Sequence, residues 1–174
     1  MPDKLPDLIH HITTLCSPDE LGRTRLAKIL WFADVDQYRR TGKTITGSDD
    51  YVKDEFGPRH KYLYAAIEEL AKSGKVEKVA RPTPAGVRHE LFLKAHPDVS
   101  KFTAEEIAVV DRVTAFVCQF SAKQASDITH DEVWDSAEIF ERIPVAAVAS
   151  VPGEITPEII KWAEASINEY SKAS

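Results

Sequence analysis

The chain has 174 residues, 43% of them hydrophobic and 29% charged, enough to bury one ordinary core without disulfide or metal staples. No run nears the ~18 apolar residues of a membrane span, and the opening MPDKLPDLIHH lacks the basic start and apolar stretch of a signal peptide, so a cytoplasmic single domain over residues 1–174 with no membrane partner is expected. The net charge of −6 is uneven: residues 1–101 hold 17 Lys/Arg against 15 Asp/Glu and residues 102–174 hold 5 against 13, which suits a cationic protein partner and argues against nucleic acid.

Leu5, Leu8, Ile9, Ile12 and Leu15 recur at helical spacing and predict an amphipathic helix over residues 6–15. His10 and His11 are adjacent, so both rings cannot face one ion; they read as partly exposed surface histidines. Ser17-Pro18-Asp19-Glu20 is a capping signature, and Gly22 marks a break before the next helix. That helix is central. Leu26, the run Ile29 to Ala33 and Val35 point in every direction around a 3.6-residue turn, which places Leu30, Trp31 and Phe32 in the core. Gly42 is placed to close it in the left-handed conformation. Asp34 and Asp36 leave the helix on different sides, and an inward Asp34 requires an Arg, a His or a backbone amide to satisfy it.

Residues 44–53 read as an irregular or extended connection. Phe56-Gly57-Pro58 reads as a turn that opens a second helix over residues 59–73, striped by Tyr62, Leu63, Ala66, Ile67 and Leu70 and stopped by Gly74. Residues 75–80 and 87–93 then flank a loop of prolines and glycine and predict a β-hairpin, giving the order of a winged-helix module. Thr103 with Glu106 forms a capping box before a helix carrying Ile107, Val110, Val113 and Val117. Thr129 with Glu132 forms another before a short helix bearing Trp134. Residues 144–152, β-branched or small, read as a strand, and Thr156-Pro157 starts a last helix with Ile159, Ala163, Ile167 and Tyr170 on one face. The fold class expected is α+β, mostly helical, one domain with a winged-helix-like β-hairpin.

Catalytic chemistry finds little support. There is no G-x-S-x-G, no Gly-rich phosphate loop and no Cys–His pairing at motif distance. Cys16 and Cys118 lack CxxC spacing and read as small buried hydrophobes rather than a metal or disulfide framework. His130-Asp131 lacks the further ligands that a metal phosphohydrolase needs. No enzyme, cofactor or metal is expected.

Specific residues carry a resemblance. Leu26, Lys28, Leu30, Trp31, Phe32, Ala33 and Asp34, followed by Gly42, Ile45, Gly47, Tyr51, Phe56, Gly57 and Pro58, resemble the Panacea domain, the SocA-like antitoxin family. Ser126, His130 and Trp134 extend the likeness, which covers about residues 5–162; Trp31 stands where Tyr is commoner, and Arg59-His60 where the family more often has Val-Pro. The resemblance implies a non-enzymatic antitoxin that binds a cognate toxin protein, with presentation to an ATP-dependent protease as a further route. The motif residues are expected to be mainly structural. Tyr51, Lys53, Arg59 and Lys61 cluster on irregular backbone beside the core and are the expected partner contacts. The alternative is a DNA-binding regulator with Arg59, His60 and Lys61 opening a recognition helix and Arg81 and Arg88 on the wing; Glu68 and Glu69 on the same helix oppose it.

Overall fold

The computed structural model describes residues 1–83, 86–129 and 132–150. The chain starts with α1 (Lys4–Ile12), whose Leu5, Leu8, Ile9 and Ile12 are completely buried, and α2 (Pro18–Leu21). Ser17 does not cap a free amide as its sequence suggests; its hydroxyl donates to the Glu20 carboxylate at 2.7 Å. Gly22, at φ 37° and ψ 158°, breaks the chain before α3 (Arg23–Thr41).

Helix α3 is the axis on which the remaining elements pack. Leu26, Ile29, Leu30, Trp31, Ala33 and Val35 are buried on several sides of it, and Gly42 ends it at φ 70° with its N–H on the Tyr38 carbonyl at 2.8 Å. Phe32 departs from its expected full burial. It is half-buried where two apolar clusters meet, edge-on to Phe116 at 6.3 Å. The larger cluster joins α1 and α3 to the two later long helices, and the smaller gathers Trp31, Val35, Tyr51, Ile143, Val145 and Val148.

After α3 come β1 (Tyr51–Asp54) and β2 (Gly57–His60), an antiparallel hairpin with Tyr51 opposite His60 and Asp54 opposite Gly57. Residues 57–60 are thus strand, not the first turn of a helix. The fixed φ of Pro58 suits an edge strand as well as a helix start, and only the pairing with β1 decides between them. Helix α4 (Leu63–Lys72) begins later and buries Leu63, Ala66, Ile67 and Leu70.

The second hairpin, β3 (Val76–Thr83) with β4 (Gly86–Leu93), is longer than expected. Pro82 pairs with Val87, because a two-stranded ribbon can turn the missing N–H to its open edge. The helix-then-hairpin order is present. Residues 59–61, the expected start of a recognition helix, lie before α4 instead.

Helix α5 (Ala104–Val117) carries the expected capping box: Glu106 N–H donates to Thr103 Oγ1 at 3.1 Å and Thr103 N–H to Glu106 Oε2 at 2.9 Å. A second box, Ser121 with Gln124, opens α6 (Ala122–Asp127). Helices α7 (Glu132–Ser136) and α8 (Val145–Ser150) follow. The segment expected as a strand is therefore helical over Val145–Ser150: Ala146, Ala147 and Ala149 favour helix, and Val145 and Val148 are buried on one side. His130 and the last predicted helix, residues 156–170, lie outside the described residues. The class is α+β, mostly helical with two small hairpins, and no described helix is long and apolar enough to cross a membrane.

Candidate functional site

Asp34 anchors the region between α3 and the β1–β2 hairpin. Completely buried, it accepts hydrogen bonds from Ile45 N–H (2.7 Å) and Thr46 N–H (3.0 Å) on Oδ1, and from Thr46 Oγ1 (2.5 Å) and the Tyr51 hydroxyl (2.8 Å) on Oδ2. Burial pushes its carboxyl up to about 6 while these hydrogen bonds pull it down. Backbone amides satisfy Asp34, as an inward carboxylate requires. Tyr51, expected as an exposed partner contact, is instead completely buried: its hydroxyl is spent on Asp34, and its ring stands edge-on to Trp31 at 4.9 Å and His60 at 5.0 Å. Burial pushes the Tyr51 phenol well above its usual range.

A second polar element fixes the other strand. Gly57 has φ 97°, and a Cβ there would overlap Lys28 Nζ and Thr129 Oγ1. The family glycine is thus required both by conformation and by the approach of a lysine. Lys28 is 1% exposed and donates no hydrogen bond to a described residue; burial pushes it down to about 7 against the pull of Asp54. Pro58 is buried beside Gly57 in β2. His60 is completely buried, accepts from Tyr62 N–H at Nδ1 (3.2 Å), and is pushed down by burial to about 4, so it is neutral near pH 7.

The outer surface of the hairpin mixes apolar side chains with charges of both signs, Glu55 being exposed beside Phe56. Arg59 pairs with Asp54 and lies over the Tyr64 ring at 4.7 Å, with Arg23 over the same ring at 5.1 Å. Lys61 is exposed, its ammonium 5.7 Å from the Tyr62 ring. Lys53 is committed to structure: its ammonium donates to the Ala137 carbonyl at 2.9 Å and sits 4.1 Å from the centre of the Trp134 ring. Large apolar side chains border the hairpin, Phe56 at its tip (55% exposed), Tyr64 (42%), and Ile139 (54%) and Phe140 (68%) on the segment along its outer edge. Phe140 adopts φ 67°. No sequence signal separates these exposed aromatics from core ones, since only tertiary packing decides which are covered.

Other expected features resolve differently. His10 is buried, not exposed, with Nε2 3.0 Å from the Ala95 carbonyl, and His11 pairs with Asp111 at 2.8 Å. The wing arginines Arg81 and Arg88 both pair with the buried carboxylate of Glu90, at 2.5 and 2.6 Å, so part of their charge is neutralised within the wing. Cys16 and Cys118, far apart in sequence, have their Sγ atoms 2.7 Å apart. Among the described residues no group of three or more His, Cys, Asp or Glu is placed to hold a metal ion.

Fold and site define a small, mostly helical α+β domain with a polar-locked hairpin set on a buried helix. Residues 26–135 match the family model described as the antitoxin SocA-like, Panacea domain, and the chain belongs to this family. The matched span begins at the first motif residue, Leu26, and ends just past Trp134. No curated protein and no solved structure matches the chain. The family is one of antitoxins, generally non-enzymatic, and membership implies a cognate toxin partner.

Proposed function

We propose that this protein is the antitoxin of a toxin–antitoxin pair, acts in the cytoplasm, and neutralises its toxin by direct contact through the rim of the β1–β2 hairpin. The observation that carries the reading is the exposure of Phe56, Tyr64, Ile139 and Phe140 around one element held rigid from beneath. Single exposed apolar residues are ordinary on any surface, but a group bordering one fixed element, with Arg59 among it, has the composition of a contact hot spot. Arg59 and Lys61 supply the charged part of the surface, Lys53 and Trp134 hold its edge, and Tyr51 supports it from the interior. Family membership supplies the kind of partner. Masking of the toxin is the mechanism, and delivery to an ATP-dependent protease is the competing route.

Co-expression with the toxin encoded by the neighbouring reading frame tests this. Phe56→Ala combined with Ile139→Ala removes exposed atoms, so the melting temperature should stay within roughly 3 °C of wild type. Toxin capture should weaken on the order of tenfold or more, and growth rescue should fail. Undiminished rescue by the double variant rules this surface out. Wild-type rescue that disappears in a host lacking ATP-dependent proteases favours delivery over masking.

A further inference from the structure

Cys16 follows α1, and Cys118 caps the C-terminal end of α5; both are half-buried. Their Sγ atoms are 2.7 Å apart, whereas a disulfide has its sulfurs about 2.05 Å apart, so bonding them asks for a movement of under ~1 Å. Either thiol can donate to the other, so the contact stabilises the thiolate of whichever one ionises; the Arg25 guanidinium favours that charge, and burial and Glu20 oppose it. Arg25 is itself fixed there, its Nε donating to the Phe120 carbonyl at 3.0 Å. The sulfur that loses its proton first attacks and the other resolves, since the thiolate is the nucleophile.

We infer that Cys16 and Cys118 form a redox modification site, a dithiol that reacts with low-molecular-weight disulfides of the glutathione type and closes into an intramolecular disulfide. The thiolate of one cysteine attacks one sulfur of glutathione disulfide, forming a mixed disulfide and expelling one glutathione thiolate. The other cysteine then gives its proton to solvent, and its sulfur attacks the first cysteine's Sγ, breaking the mixed disulfide and expelling the second glutathione thiolate. In balance the protein loses two electrons and two protons, and glutathione disulfide becomes two glutathione molecules. The bond formed ties the segment after α1 to the end of α5, two helices that meet in the larger apolar cluster. Cys16 precedes the span matched by the family model, and Cys118 lies within it.

Full-length protein treated with glutathione disulfide and read by non-reducing mass spectrometry tests the inference. The wild type should lose the mass of two hydrogen atoms and keep no glutathione. Cys16→Ser should trap one glutathione on Cys118, and Cys118→Ser one glutathione on Cys16, since neither variant has a second thiol to resolve the mixed disulfide. The oxidised wild type should melt on the order of 10 °C above the reduced form, because closing so long a loop restricts the unfolded chain. A wild type that stays reduced, or that carries a separate glutathione on each cysteine, overturns the site.

Discussion

Asp34 gathers more buried polar atoms than any other described side chain, and what surrounds it explains why an acid sits on a buried helix. The connection after α3 has no regular structure at residues 45 and 46, so its amides need an acceptor, and Asp34 supplies one from the helix. Asp34→Ala would leave two amides and two hydroxyls buried without it, and should cost at least ~3 kcal/mol in urea denaturation. Tyr51→Phe removes one of the four and should cost about 1 to 2 kcal/mol while leaving the surface unchanged. Lys28 makes a pH-dependent contribution. Its folded pKa, lowered to about 7, lies below the ordinary lysine value of 10.5, so between these values the unfolded chain binds the extra proton. Stability therefore rises with pH across this window and is lost as pH falls through it, by up to about 1.4 kcal/mol per unit. Unfolding free energies at pH 7.5 and 9.5 should show the slope in the wild type and not in Lys28→Met. Gly57→Ala collides with both Lys28 and Thr129 at positive φ, so Gly57→Ala should destabilise in the Lys28→Met background as well.

Among elements, those that depend on local pattern were readable and those that depend on pairing were not. Helix α3, the stripe of α4, the β3–β4 hairpin and the Thr103–Glu106 box all follow from spacing within the chain, and each appears. The β1–β2 hairpin was missed because its strands are four residues long and its stability comes from outside. Residues 140–143 lie along the far edge of β1: Phe140 N–H donates to the Lys53 carbonyl at 2.9 Å, Lys53 N–H to the Glu141 carbonyl at 2.8 Å, and Ile143 N–H to the Tyr51 carbonyl at 2.9 Å. The same distance in sequence hid the meeting of Cys16 with Cys118. For the candidate site, Asp34 is buried on backbone amides as its place on the helix requires, whereas Tyr51 is buried against expectation, because an aromatic on irregular backbone looks alike whether it points in or out. Thr103→Ala should cost about 1 kcal/mol and speed amide exchange in the first turn of α5, with little effect elsewhere.

At the scale of the whole molecule, the hairpin is clamped from three sides: Asp34 below, Lys28 under Gly57, and residues 140–143 along β1. Rigidity of this kind lowers the ordering cost of binding, which is what the proposed contact surface requires. Phe140 tests whether the rim is built for contact or merely left exposed. It keeps a left-handed backbone at φ 67°, where a bulky residue costs on the order of 1 kcal/mol, and yet its ring is 68% exposed and contributes little to the core. Phe140→Gly relieves the backbone and removes the ring, so thermal unfolding should hold steady or rise by a few degrees. Toxin capture should fall on the order of tenfold. Phe140→Ala keeps the strain and should lose capture by the same factor without the gain in stability. Opposite movement of stability and binding in Phe140→Gly separates a contact residue from a structural one; full capture by both variants would place the toxin elsewhere on the molecule.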